Sequence, residues 1–133
     1  MSGVEWVVDA QGCSPESLRD VELLRALFDK IICELRLRPV GGMQWHQFPG
    51  GGGISGFCML AESHLACHTF PEYRSLCLNL FCCMPRDPWN FDAQLKEIFS
   101  ATAVQVRALT RAYSATEVLE LEATLVARRD GEQ

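Results

Sequence analysis

Between residues 43 and 83 the chain leaves no room for helices. Short extended pieces follow one another there, "MQWHQF", "ISGFCMLA", "SHLACHTF" and "SLCLNLFCC", separated by the glycine run 50–53 and other turn signals. A parallel pairing needs a crossover of a dozen or more residues, and these gaps are far shorter, so the pieces are predicted to be antiparallel neighbours. Ahead of them, "VEWVV" at 4–8 reads as a short strand ending in the turn-forming "DAQGC". A helix is predicted next, with Ser14 as N-cap, Pro15 at the first helical position and Glu16 near the positive end of its dipole. Leu18, Val21, Leu24, Phe28, Ile31 and Leu35 give it one apolar stripe. Residues 90–102, with Phe91, Leu95, Ile98, Phe99 and Thr102, predict a second amphipathic helix, and "AVQVRALTRA" alternates like a further strand. From Ser114 the pattern fits a strand or a short helix, and "RRDGEQ" is expected to fray. The fold class is α+β, a two-layer sandwich with both helices on one face of an antiparallel sheet. "GFCMLA" is apolar on both sides, so the other face is expected to be covered by a second copy, giving a four-layer α/β/β/α homodimer.

Composition narrows the function classes. A chain of 133 residues with 48% apolar residues is expected to be one domain with its own core. No apolar run approaches the roughly 18 residues of a membrane span, and the N-terminus has no basic-then-apolar signal pattern. A soluble, cytoplasmic protein is expected. Net charge is −5, with no basic run before "ARRD", which argues against a nucleic-acid partner. The seven cysteines, at 13, 33, 58, 67, 77, 82 and 83, form no C-x-x-C pair. Neither a zinc site nor a disulfide scaffold is indicated, and most of them read as small apolar core residues.

The chemistry is concentrated in "LAESHLACHTFPEY", residues 60–73. In a strand, Ser63, Leu65, Cys67 and Thr69 point to one face, and His64, Ala66, His68 and Phe70 to the other. On the next piece Cys77, Asn79, Phe81 and Cys83 share a face, so matched faces would let His68 and Cys83 approach each other in a hairpin. Ser63 beside His64 is a poor nucleophile and base pair, because adjacent strand residues point apart. A hydrolase elbow would need flanking glycines where Ser63 has Glu62 and His64. His64 and His68 lie about 13 Å apart in a strand, too far to share a metal. Taken singly, each histidine reads as a structural or surface residue.

Taken together, "H-x-F-P-x-G-G-G-I-S-G", "AESHLACHTFPE" and "NLFCC" are far more specific. They resemble the bacterial and archaeal S-adenosylmethionine decarboxylases, a family of self-processing pyruvoyl enzymes. The resemblance runs from "GCSPESL" to Cys83 and weakens after "MPRDP". It implies that the chain cuts itself between Glu62 and Ser63 into residues 1–62 and 63–133, the Ser63 hydroxyl attacking the Glu62 carbonyl. Ester formation, β-elimination and hydrolysis would then turn Ser63 into a pyruvoyl group, the only cofactor implied. That group would form a Schiff base with a substrate amine and draw electrons as CO₂ leaves.

The resemblance assigns Ser55 and His68 to processing, His68 as the base that takes the Ser63 α-proton, and Cys83 as the acid that protonates the product. Its neighbour Cys82 is the bland alternative, a core thiol. Phe48 and Phe70 match the family's adenine-stacking positions, Glu72 the ribose-binding carboxylate, and Leu65 offers backbone contacts. The substrate implied is S-adenosylmethionine, decarboxylated for polyamine synthesis. Departures at the four-glycine run, Asn79 and Met84 leave a pyruvoyl arginine or ornithine decarboxylase as one alternative. An unprocessed binding or regulatory homologue is another.

Overall fold

The computed structural model describes residues 2–131. Six strands form one antiparallel sheet: β1 (Ser2–Gln11), β2 (Gln44–Gln47), β3 (Ile54–Leu60), β4 (Ser63–Phe70), β5 (Ser75–Cys82) and β6 (Ala103–Ala112). Their spatial order is β2-β3-β4-β5-β1-β6. Three helices accompany them, α1 (Val21–Glu34), α2 (Phe91–Phe99) and α3 (Ala115–Gly131).

Short turns join β2 through β5 as successive hairpins, while β1 and β6 extend the sheet beside β5. Alternating directions make β1 parallel to β2 and β5 parallel to β6, so α1 and α2 are each a crossover between parallel strands. The two crossovers move toward opposite edges from strands of opposite direction. A half-turn about the sheet normal interchanges them, so the right-handed rule lays both helices on the same face. There α1 buries Leu24, Leu27, Phe28 and Ile31, and α2 buries Phe91, Leu95 and Phe99, against the inward residues of β1, β3, β4 and β5. Phe28 packs on Trp45 of β2, ring centroids 4.9 Å apart, and Phe91 on Trp6 of β1 at 6.4 Å.

The first helix begins later than its sequence suggests. Asp20, not Ser14, is the N-cap of α1: its carboxylate accepts from the backbone N–H groups of Glu22 (3.0 Å) and Leu23 (3.4 Å). Ser14 instead starts a short 3-10 turn, Ser17–Arg19, where the Ser17 hydroxyl donates to its carbonyl at 2.7 Å. Tertiary contact fixes that turn, because the buried Thr69 hydroxyl donates to the Leu18 carbonyl (2.7 Å) and accepts from the Ile54 N–H (2.8 Å). The tail is helical, and α3 runs on through Arg128–Gly131 without burying any residue. Glu132 and Gln133 lie outside the described residues. The described residues thus hold three α-helices: the two expected over the sheet and a third in the tail, where the pattern allowed either a strand or a short helix.

The face of the sheet away from α1 and α2 is apolar along β3, as "GFCMLA" implied. Cys58 and Leu60 are buried under the helices, while Phe57 and Met59 stand exposed on the open side. His64, Ala66 and Phe81 continue that surface toward β1, where Asp9–Arg107 and Glu5–Arg111 pair across to β6. Among the described residues no helix is long and apolar enough to cross a membrane.

Candidate active site

Glu62 sits at the tip of the β3–β4 hairpin, in a two-residue loop, Ala61–Glu62, closed by the pair Leu60↔Ser63. Loops of this length favour positive φ at both positions, a geometry that residues with side chains resist. Here neither loop residue has it; Ser63 takes it instead, with φ of 153°. Such a conformation costs a non-glycine residue about 1–3 kcal/mol. The strain therefore lies on the residue that follows the Glu62–Ser63 bond.

A hairpin tip is normally wet, yet Glu62 is only 3% exposed. The cause is the end of α1. Arg36 adopts a left-handed φ of 55°, and Leu37 N–H returns to the Ile32 carbonyl at 2.8 Å, closing a Schellman turn. That turn sends residues 38–40 across the hairpin. Arg38 N–H donates to Glu62 Oε1 at 2.8 Å, and its Nε lies 3.5 Å from Oε2. Ala61 N–H donates to the Arg38 carbonyl at 2.8 Å. The backbone of Glu62 is held from the other side, its carbonyl accepting from the Cys83 N–H at 2.7 Å. An N–H aimed at a carbonyl oxygen stabilises charge that develops there during nucleophilic attack.

Cys82 and Cys83 differ sharply. Cys82, opposite Ser63 in the ladder, points under the helices, and burial pushes its thiol up to about 11 with Arg86 partly offsetting the shift. Cys83 lies just past β5 and is half-buried. Its carbonyl accepts from the Tyr113 hydroxyl at 2.7 Å.

A second cluster occupies the far end of β4. Ser55 Oγ and His68 Nδ1 share a hydrogen bond of 2.8 Å across the β3–β4 pair. Phe48, Phe70 and Glu72 join them around a cleft of about 360 Å³. The close approach of the glycine loop to β4 shapes this cleft, since a side chain at Gly53 would run into the Thr69 backbone. Leu65 is fully buried on the helix side, so only its backbone is available to a ligand. His64 Nε2–H donates to Asn79 Oδ1 at 2.9 Å between the rings of Phe57 and Phe81.

The expected meeting of His68 with Cys83 does not occur within the chain. The turn Pro71–Tyr73 sets Phe70 opposite Ser75, so Cys77 faces His68 and Cys83 is left at the Ser63 end. His68 is likewise five residues from Ser63 along a continuous strand, about 16 Å at roughly 3.3 Å per residue. The structure gathers Glu62, Ser63 and Cys83 at one end of β4, and Ser55, His68, Phe48, Phe70 and Glu72 at the other. Arg38 and Tyr113, which hold the first group in place, carry no local sequence signal for that role. The "S-A-T-E" after Tyr113 does have the form of a helix-starting capping box.

Comparison with known proteins points one way. The family model for S-adenosylmethionine decarboxylase matches residues 4–112. The S-adenosylmethionine decarboxylase proenzyme of Moorella thermoacetica is 31% identical over 110 residues, covering 82% of this chain and 86% of that protein. The proenzyme of Pyrococcus furiosus is 32% identical over 115 residues, covering 82% and 78%. Among solved structures, the adenosylmethionine decarboxylase of Aquifex aeolicus superposes with a TM-score of 0.70 at 21% identity, over 84% of this chain and 92% of that one, and so shares the fold. With a family match over most of its length and relatives above 30% identity, the chain belongs to the S-adenosylmethionine decarboxylase family.

Proposed function

We propose that this chain is a proenzyme that cuts itself between Glu62 and Ser63 and then decarboxylates S-adenosylmethionine. One observation carries the reading. The Glu62 carbonyl accepts a 2.7 Å hydrogen bond from Cys83 N–H, beside a serine whose backbone is strained. Ser63 Oγ adds to the polarised Glu62 carbon, the C–N bond breaks, and the acyl group moves to oxygen as an ester. Loss of the Ser63 α-proton expels the Glu62 carboxylate from the β-carbon, and hydrolysis with release of ammonia leaves a pyruvoyl group. The residues fit such a group: Ser63 is half-buried, on a hairpin tip, with Cys83 at its end of the strand. Once formed, it supplies an electrophilic carbonyl that serves as electron sink for a substrate with a free α-amine.

Supporting roles follow from position. Cys83 is the proton donor to the product, and Cys82 is a core thiol. Phe48 and Phe70 offer flat faces for a purine and Glu72 a carboxylate for a ribose diol, all beside His68. His68, with Ser55 orienting its ring, is the base for the Ser63 α-proton. The separation of about 16 Å along β4 requires that His68 act on Ser63 of a second copy. Two open faces packed about 10 Å apart, related by a two-fold axis across β4, reverse one β4 over the other. The Ser63 end of each copy then lies over the His68 end of its mate. This homodimer also covers Phe57 and Met59.

Denaturing intact mass spectrometry tests the reading first. Two fragments, 1–62 and 63–133 with a pyruvoyl end, are expected from the wild-type chain and one uncut chain from Ser63→Ala. A cut Ser63→Ala chain overturns the mechanism. Assays of the cut protein with S-adenosylmethionine, arginine and ornithine are expected to release CO₂ from the first alone.

A further inference from the structure

Cys83 lies beyond the last residue of β5, where no ladder hydrogen bond fixes it. Two contacts hold it: its N–H donates to the Glu62 carbonyl, and its carbonyl accepts from the Tyr113 hydroxyl, each at 2.7 Å. The first contact reaches the bond that is to be cut, and cleavage turns Glu62 into a free chain end. Tyr113 is the contact that cleavage leaves untouched.

Tyr113 comes from outside the matched segment, one residue beyond its end at 112. Its own placement is built in. The Tyr113 N–H donates to the Glu117 carboxylate at 2.7 Å, and the Glu117 N–H donates to Ser114 Oγ at 3.2 Å, the first turn of α3. On the other side β1 presents Gly3, and any side chain there would occupy the place of the phenol oxygen. A helix that buries no residue of its own is thus anchored just after the tyrosine whose hydroxyl reaches the Cys83 carbonyl.

We infer that Tyr113 is a positioning residue: through the Cys83 carbonyl it orients residue 83, aligning its N–H on the Glu62 carbonyl before cleavage and its thiol afterwards. The inference rests on the self-cleavage reading for its consequence, but its geometry is independent of that reading, and the test separates the two. In a Ser63→Ala background, which stays uncut, Cys83 alkylation by iodoacetamide is measured by peptide mass mapping. The exposed Cys33 serves as internal reference, and the buried Cys67 reports that the chain is folded.

Tyr113→Phe is expected to raise the Cys83-to-Cys33 labelling ratio several-fold while Cys67 stays unlabelled. Glu117→Ala, which frees the Tyr113 backbone but keeps the phenol, should move the ratio the same way and less far. With Ser63 restored, Tyr113→Phe is expected to slow cleavage after refolding by roughly three- to tenfold, the rate equivalent of one net hydrogen bond. An unchanged labelling ratio overturns the proposal whether or not the chain cuts itself. An altered ratio with cleavage at the wild-type rate overturns the role assigned to Tyr113 in cleavage. A wild-type chain that never cuts overturns the self-cleavage reading, and the labelling ratio still decides the position of Cys83.

Discussion

At the scale of single residues, Cys82 and Cys83 show how one step along the chain changes a thiol's surroundings. Adjacent in sequence, Cys82 ends β5 fully buried while Cys83 lies half-buried just past it, and burial under the helices raises the Cys82 thiol. Cys83→Ala is expected to cut normally and lose about 10²-fold or more in kcat, the usual contribution of a placed general acid. Cys82→Ala should keep kcat within a few-fold, and steady-state CO₂ release on both variants checks the assignment. Phe70 is 38% exposed on the wall of the cleft beside Glu72. Losing a face that stacks on a purine costs about 1–3 kcal/mol, so Phe70→Ala is expected to raise KM for S-adenosylmethionine by about one order of magnitude or more. Phe70→Trp should leave KM near the wild-type value. Ser63, His68 and Glu72 stand out in the sequence because they share one compact motif, and Ser55 because it belongs to the glycine-rich segment just before that motif. Arg38 and Tyr113 do not, because they reach Glu62 and Cys83 from 24 and 30 positions away in the chain, and only packing brings them there.

At the scale of elements, the inward face of β4 links the motif to the core. Thr69 is buried and ties three pieces together, accepting from Ile54 N–H of β3 and donating to the Leu18 carbonyl ahead of α1. Thr69→Val fills the same space but leaves both groups without their partner, a loss of about 1–3 kcal/mol that urea unfolding monitored by tryptophan fluorescence would register. Two positions earlier, burial drives the Cys67 thiol from 9.0 to about 12. A thiol that ionises more readily in the unfolded chain favours unfolding as pH rises. Its stabilising contribution is therefore whole below pH 9 and is lost between there and about pH 12. The urea midpoint is expected to fall between pH 8 and pH 10, and to fall less in Cys67→Ala. Strand positions were readable from the period-two alternation and the turn residues between them. The start of α1 was not: Ser14 and Asp20 are both acceptable caps, and Thr69 decides between them by holding Leu18 outside the helix.

At the scale of the whole molecule, the two halves of the site lie at opposite ends of β4, so the proposed chemistry belongs to a pair of chains. Neither Ser63→Ala nor His68→Ala is expected to cut when made alone. Expressed together, the His68→Ala chain should be cut, with His68 of the Ser63→Ala chain as its base, and an intact mass spectrum distinguishes the two by mass. No cleavage in the mixture would place the base within one chain. Met59→Glu on the open face is expected to leave the chain a monomer by sedimentation where the wild type runs as the proposed dimer, and to abolish cleavage with it. The sequence by itself determined the antiparallel sheet, the two covering helices and the family to which the motif of residues 60–73 belongs, because alternation, turn chemistry and a contiguous motif are local properties. Only the tertiary structure decided where those residues stand relative to one another. Hairpin register is set by the turn Pro71–Tyr73 and the burial of one face. That register moves Cys83 to Ser63 and away from His68, a choice no stretch of the chain encodes alone.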